Sequence, residues 1–182
     1  MKRLAWLAIV SAFFCGTASA GQTSGLVAQL VTDVCIPVMQ SARFDPSRLP
    51  LGGRPLTSAE MAQDQIEKDI GAWRYESDDD FVVLEVRTDG CDVVTDHTGG
   101  PAFLAVLEQT VADRYGAPKT VMDQPHPSNA ILRTRGYLVS LPPGAAPDSP
   151  TAEALAVTYA TEAAPAGKKM FYVGVLALTK AN

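Results

Sequence analysis

The sequence predicts an α+β fold, a largely antiparallel sheet of about five to six strands with helices packed on one face. Three observations lead to this prediction. Apolar residues recur at helical spacing in three segments, an Asp-Gly pair at 89–90 separates two β-rich runs, and the last third of the chain largely alternates apolar with polar residues. Since the late strands follow one another instead of alternating with helices, we expect them to pair antiparallel.

The N-terminal segment is typical of an export signal. Lys2 and Arg3 precede an apolar run of eleven residues over 4–14, and the small residues Ala18-Ser19-Ala20 follow. This run is shorter than the roughly 20 residues of a membrane span. The pattern predicts a signal peptide over 1–20, with an uncleaved anchor as the alternative, and a single domain over 21–182. We therefore expect an exported protein of the periplasm or the extracellular space.

Net charge limits the classes of partner. The chain carries −5, and removal of residues 1–20 takes away two of its 15 basic residues and none of its 20 acidic ones, leaving −7. A negative surface repels phosphate backbones and anionic lipid, so nucleic acid is excluded as a general partner. No later apolar run is long enough for a membrane span, so none is expected after signal cleavage.

Two helices are expected before the sheet. The first has Ser24 as its N-cap after a mobile start at 21–24, and Pro37 should end or kink it. The second begins at the capping-box sequence Thr57-Ser58-Ala59-Glu60 and ends at Gly71. Its expected apolar stripe consists of Ala59, Ala62, Ile66 and Ile70.

Residues 81–97 are predicted to form a β-hairpin. Asp89-Gly90 favours a two-residue type I′ turn, which pairs Arg87 with Asp92 and Val86 with Val93. In this register one face holds Val82, Leu84, Val86, Cys91 and Val93, with His97 at its end. The hairpin therefore presents an apolar face to the core.

A third helix and four strands complete the expected fold. Pro101 suits the first helical turn, and Gly116 followed by Pro118 marks the helix end. The apolar face of this helix consists of Phe103, Leu104, Leu107, Val111 and Tyr115. Strands are expected over 119–123, 131–141 with a bulge at Gly136, 155–160 and 170–179. The last strand is apolar on both faces, so we place it centrally in the sheet.

The cysteine count favours one disulfide. Cys15 leaves with the signal peptide, so Cys35 and Cys91 remain as a pair in an oxidising compartment. Two cysteines allow a single connectivity, and two free thiols are the alternative. A Cys35–Cys91 bond would fasten the first helix to the sheet.

Several short motifs resemble a loose group of uncharacterised small exported bacterial proteins. They are Cys35 in the first helix, Trp73 before the first strand, Gly90-Cys91-Asp92-Val93, and the helix end Tyr115-Gly116-Ala117-Pro118. The resemblance implies an exported location and the disulfide. It implies no activity, because none is established for this group.

Four residues are candidates for ligand contact. His97, next to Asp96, could take part in proton transfer or metal binding, although packing at a strand end explains it as well. Trp73 could stack on a ligand or cover the core. Arg133 and Arg135 lie two apart, so they share one face of a strand, where they could bind an anion or protect a sheet edge.

No nucleophile motif, zinc pattern or phosphate-binding loop stands out in the sequence. The leading hypothesis is therefore a non-enzymatic binding or envelope-associated protein that takes an unknown protein or small-molecule ligand, without cofactor or metal. One alternative is a hydrolase-like enzyme with a site near Asp96 and His97. Another is an inhibitor or immunity-like protein that binds its partner with an exposed loop such as 142–150.

Overall fold

The computed structural model of the chain describes residues 18–41, 43–63, 66, 70–77, 80–95, 100–141, 152–161 and 171–178. The helical elements are α1 (Ala18–Gln29), a π-helical segment (Leu30–Cys35), α2 (Ile36–Ser41), a 3₁₀ turn (Pro46–Arg48), α3 (Ser58–Gln63) and α4 (Gly100–Tyr115). The strands are β1 (Arg54–Pro55), β2 (Gly71–Ser77), β3 (Asp80–Val86), β4 (Cys91–Thr95), β5 (Lys119–His126), β6 (Asn129–Ser140), β7 (Ala152–Ala160) and β8 (Phe171–Leu178).

The α+β prediction is confirmed. The strands form one antiparallel sheet in the order β1-β2-β3-β4-β8-β7-β6-β5, so the C-terminal strand is central, as its apolar sequence indicates. The longer helical elements, from α1 to α2 together with α4, pack on one face and enclose the main core. The sheet has eight strands rather than five or six, because β1 precedes the second predicted helix and β2 begins at its predicted end, where no strand is expected. Within the described residues, no helix is long and apolar enough to cross a membrane.

The first helix is longer than predicted at both ends. It begins at Ala18, upstream of the predicted cleavage point, so the mobile start at 21–24 is wrong. Ser24 is not an N-cap: it is 4% exposed, and its hydroxyl donates to the carbonyl oxygen of Gly21 at 3.2 Å. Burial of this turn against the rest of the protein outweighs the weak local signal of a polar helix start.

Pro37 lies inside a continuous helical segment rather than at its end. A proline lacks the N–H group and its ring crowds the preceding turn, which normally breaks an α-helix. Here the helix widens into the π form over Leu30–Cys35, and the N–H of Ile36 donates to the carbonyl oxygen of Val31, five residues earlier. The wider turn accommodates the proline, so helical structure continues to Ser41.

The missing N–H group of Pro37 leaves one carbonyl to be satisfied from elsewhere. In the π register its donor would serve the carbonyl oxygen of Thr32, which is fully buried. The hydroxyl of Tyr115 donates to that oxygen instead, at 2.9 Å. Tyr115 is the last residue of α4, so this hydrogen bond ties the two helices together.

The second predicted helix is confirmed at its start and wrong in its length. The Thr57 N–H donates to a Glu60 carboxylate oxygen at 2.8 Å, and the Glu60 N–H donates to the Thr57 hydroxyl at 3.3 Å, as in a capping box. However, α3 ends at Gln63, and Ala59, Ala62 and Ile70 of the expected stripe are exposed. Met61 is buried instead, against Leu56, Ala72 and Val83 on the opposite face of the sheet.

The hairpin forms in a register two residues away from the predicted one. Leu84 lies opposite Val93 and Val86 opposite Cys91, and a four-residue connection over 87–90 joins the strands. Since the shift is even, every side chain keeps its predicted face. Arg87, the first residue of this connection, makes the predicted contact with Asp92 of β4 and also binds Glu85 at 3.2 Å. Asp92 is on the outer face as expected but is only 4% exposed.

The elements after the hairpin largely follow the prediction. Phe103, Leu104, Leu107 and Val111 of α4 are buried, and Gly116 follows the helix with φ of 82°, a left-handed conformation that favours glycine. β5 extends to His126, beyond the predicted 119–123. The irregularity predicted at Gly136 falls on the partner strand, between Thr120 and Met122.

The Cys35–Cys91 disulfide is confirmed. Its Cα atoms are 5.3 Å apart, and both cysteines are fully buried. The bond joins the π-helical segment to the first residue of β4, and thereby fastens the helical layer to the sheet.

Replacement of both cysteines by alanine tests this connection. The two residues are 56 positions apart, and closure of a loop of this length is worth about 4 kcal/mol. We expect C35A/C91A to lower the free energy of unfolding in urea by about that amount, and reductant to have the same effect on the native protein. Two free thiols in the unreduced protein, found by alkylation and mass spectrometry, would contradict the assignment.

A matched pair of glycine substitutions tests the end of α4. Gly116→Ala should lower the free energy of unfolding by about 1 kcal/mol, because an L side chain is strained at positive φ. Gly25 lies inside α1 with open space around the position of a Cβ atom. Gly25→Ala should therefore raise the free energy of unfolding by up to about 1 kcal/mol. Equal effects of the two changes in thermal denaturation would argue against the left-handed end.

Candidate functional site

Only some of the sequence-predicted site residues lie in the described part of the chain. Asp96 and His97 lie outside it, as does the loop 142–150 proposed for a protein partner. Trp73, Arg133 and Arg135 are described. Where the structure describes the chain, no three side chains of His, Cys, Asp or Glu converge in a way that could hold a metal ion.

Arg133 and Arg135 share one face of β6, as their spacing predicts. Both bind the carboxylate of Asp123 on β5, Arg135 through its Nε at 3.1 Å and its Nη2 at 2.9 Å. Arg135 also donates to Glu108 of α4 at 3.1 Å. Hydrogen bonds from Arg133, and then from Arg135, hold the pKa of Asp123 below its ordinary value. An incoming anion would have to displace these carboxylates.

Asp123, Arg133, Arg135, Glu108 and Tyr137 form one group, which we call the arginine cluster. Tyr137 lies on its inner side. It is 2% exposed, and its hydroxyl donates to the Glu108 carboxylate that Arg135 also binds. Burial and the neighbouring Glu108 raise the pKa of Tyr137. The cluster thus holds α4 against the edge of the sheet, and its groups are already used in structural contacts.

Trp73 packs against a second aromatic side chain, that of Phe44. Its ring lies 4.8 Å from that of Phe44, centroid to centroid, with a tilt of 34° between the planes. Both residues are partly buried against the main core. Trp73 therefore fixes the position of Phe44, which lines an open groove at the end of α2.

We call this depression the Phe44 groove. Its volume is about 520 Å³, and its walls include Val38, Ser41, Arg43, Phe44, Asp45 and Arg48. A volume of this size is within the range of roughly 300–1,000 Å³ that holds small-molecule ligands. The groove therefore has the dimensions of a binding site.

Fixed positive charge exceeds negative charge in the Phe44 groove. Asp45 accepts hydrogen bonds from the Ser47 N–H at 3.0 Å and from the Ser47 hydroxyl at 2.8 Å, and these contacts lower its pKa. Arg48 is 3.9 Å from Asp45 and half exposed. Arg43 makes no ion pair with any residue that the structure describes. The groove thus places two guanidinium groups and one carboxylate beside an aromatic ring, on a chain of net charge −5.

A second unusual group lies deeper in the molecule. Glu153 of β7 is fully buried, and neither of its carboxyl oxygens has a hydrogen-bond partner among the described residues. Burial raises its pKa to about 8. The pKa of the Tyr115 phenol is raised most by burial. Among the charges, Arg114 lowers it, Glu153 raises it and Arg48 lowers it. Charges on Glu153 and on Arg48 of the Phe44 groove thus both act on the Tyr115 phenol.

Sequence reasoning missed the Phe44 groove and Glu153. The groove residues fall in a segment that reads as an irregular loop, and only folding brings them onto Trp73. Glu153 did carry a signal: it lies two positions before Leu155, so strand alternation places it on the apolar face. An acidic residue at an inward-facing position of a strand departs from the alternation of apolar and polar residues. This departure is visible in the sequence.

Comparison of the chain with family models, curated proteins and solved structures found no match.

Two substitutions distinguish the buried from the exposed half of the arginine cluster. Tyr137→Phe removes a buried hydroxyl from a charged acceptor and should lower the free energy of unfolding by about 1–3 kcal/mol. Arg133→Gln breaks a partly exposed ion pair and should cost less than about 1 kcal/mol. Urea denaturation measures both values, and a larger effect of Arg133→Gln would contradict this assignment.

Proposed function

We propose that the protein is an exported, non-enzymatic binding protein and that the Phe44 groove is its ligand site. The observation that carries the proposal is the pairing of Arg43 and Arg48 with the supported ring of Phe44. This combination favours a small anion with a flat apolar part, such as an aromatic carboxylate.

Two features support export. The pattern of residues 1–20 is that of a cleavable signal peptide. A buried disulfide between Cys35 and Cys91 is stable in an oxidising compartment and uncommon in the cytosol. Both fit the periplasm or the extracellular space.

The chemistry of the Phe44 groove supports binding rather than catalysis. Guanidinium groups keep their charge at all physiological pH values, so they position and neutralise an anion but do not exchange protons with it. The Ser41 hydroxyl donates to the carbonyl oxygen of Pro37 at 2.8 Å, and Asp45 is occupied by Ser47. The groups that could react are thus engaged with the chain itself.

Phe44 supplies the apolar part of the site. Its ring is held from below by Trp73 and is only partly buried, which leaves surface for a second flat group. Offset or tilted aromatic contacts add stabilisation beyond buried area. A ligand with both an anionic and an aromatic part would use both walls of the groove.

Titration of the mature protein with benzoate tests this proposal. We expect benzoate to shift the amide NMR signals of residues around the groove, inorganic phosphate to act more weakly, and benzylamine to have no effect. The double variant R43Q/R48Q should bind benzoate at least about tenfold more weakly, because charge-assisted hydrogen bonds to the carboxylate are lost. Added salt should weaken the native interaction.

Arg54→Gln is the matched control, because Arg54 is a half-exposed arginine away from the groove that pairs with Glu60 at 2.8 Å. It should leave benzoate binding unchanged. Equal binding by R43Q/R48Q and the native protein would overturn the groove assignment. Turnover of a generic esterase, peptidase or glycosidase substrate by the purified protein would overturn the non-enzymatic part of the proposal.

A further inference from the structure

Glu153 occupies a position where the described residues provide no partner for a charge. On β7 it lies opposite Val139 of β6 and Ala177 of β8, and it shares the inner face of the sheet with Leu155 and Val157. It is fully buried, and both carboxyl oxygens are without hydrogen bonds among the described residues. A native structure rarely retains such a group without a specific reason.

The ionisable groups around Glu153 do not compensate its charge. From α4, Tyr115 is near enough to be affected by it, but the Tyr115 hydroxyl donates to Thr32. On β6 the nearest inward-facing ionisable residue is Tyr137, which donates to Glu108. Each of these hydroxyls is therefore used elsewhere.

Among the residues that the structure describes, the remaining elements near this end of the sheet offer no cation to Glu153 either. The π-helical segment contributes Asp33, which pairs with Arg114 of α4. The 3₁₀ turn contributes Arg48, whose nearest carboxylate is that of Asp45. β8 places Ala177 beside Glu153. An ionised Glu153 would thus remain in the core without a compensating charge from the described part of the chain.

We infer that Glu153 is a proton-dependent lock between the helical layer and the sheet: the protonated side chain packs in the core, and its ionisation loosens the contact between α4 and β7. Transfer of an uncompensated carboxylate into an apolar interior is strongly unfavourable, so the folded chain keeps the proton. The inference concerns the fold and does not depend on the proposed ligand.

The direction of the effect follows from the two states of the carboxyl group. In the unfolded chain the ordinary pKa is 4.5, and burial raises it to about 8 in the folded protein. The folded state therefore holds the proton more tightly. The contribution of protonated Glu153 to the free energy of unfolding is fully present below pH 4.5. It decreases as the pH rises and is lost as the pH passes about 8.

We expect the contact between α4 and β7 to loosen first at Tyr115. Its hydroxyl joins α4 to the carbonyl of Thr32, and its ring is partly buried beside the core. A charge at Glu153 would draw water to this end of the interface. Separation of the end of α4 from β7 is the least costly way to hydrate the carboxylate, because no disulfide crosses that contact in the described chain.

Glu153→Gln tests the lock, because glutamine has nearly the shape of the protonated side chain and does not titrate. Urea unfolding is measured from pH 5 to pH 8 for both proteins. The equilibrium constant for folding of the native protein should fall about tenfold per pH unit relative to that of E153Q. Parallel pH dependences would overturn the inference.

Glu60→Gln is the matched control. Glu60 is hydrogen-bonded by Arg54 and by Thr57, and these contacts lower its pKa to about 2. Its own pH effect lies below the measured window, so E60Q should retain the pH dependence of the native protein. A flattened profile for E60Q would assign the effect to a general loss of negative charge and overturn the role of Glu153.

Two measurements on the native protein keep the inference testable if E153Q does not fold. Carbon-13 NMR of labelled glutamate should show one carboxyl group that titrates above pH 7, and ionisation of every glutamate by pH 6 would overturn the proposal. Hydrogen exchange, corrected for its intrinsic pH dependence, should accelerate first in the last turns of α4. Uniform acceleration over the whole sheet would place the lock elsewhere and also overturn it.

Discussion

The absence of a backbone N–H group at Pro37 constrains the whole helical layer. Because the helix continues through this residue, it widens into a π turn, and the orphaned carbonyl of Thr32 takes its hydrogen bond from Tyr115. The same widened turn holds Cys35 at 5.3 Å, Cα to Cα, from Cys91. One local defect thus determines how the first helix meets α4 and where it is bonded to the sheet. The segment that forms the Phe44 groove begins directly after this anchored region.

Tyr115 connects the two unusual features of the molecule. Burial raises the pKa of its phenol most. Among the charges, Arg114 lowers this pKa, Glu153 raises it, and Arg48, at the wall of the groove, lowers it. The phenol of Tyr115 therefore responds to charges from both features, while its hydroxyl holds the carbonyl oxygen of Thr32.

The sequence predicts which face of a strand or helix a side chain occupies better than it predicts the register of strand pairing or the ends of helices. Cys91 lies on its expected face of the sheet although the hairpin register differs by two residues. The face follows from the alternation of buried and exposed residues along the strand, whereas the register depends on which turn joins the two strands. Gly116 ends α4 as expected, since its positive φ is a local property. The helix does not end at Pro37, and β2 replaces the predicted helix end, because tertiary contacts override the local tendencies there. The groove could not be foreseen, because it arises where Phe44 meets Trp73 across long sequence separation.

The position of β8 has a consequence for the order of folding. Among the described strands, β1 to β4 follow one another in the sheet and so do β7, β6 and β5, and the last strand of the chain joins the two groups. Neither group can close on the other before β8 has been synthesised. Pairings of such sequence separation also form slowly, because loop closure precedes them. The facing edges of β4 and β7 thus stay without a partner strand until β8 is synthesised and fills the gap between them.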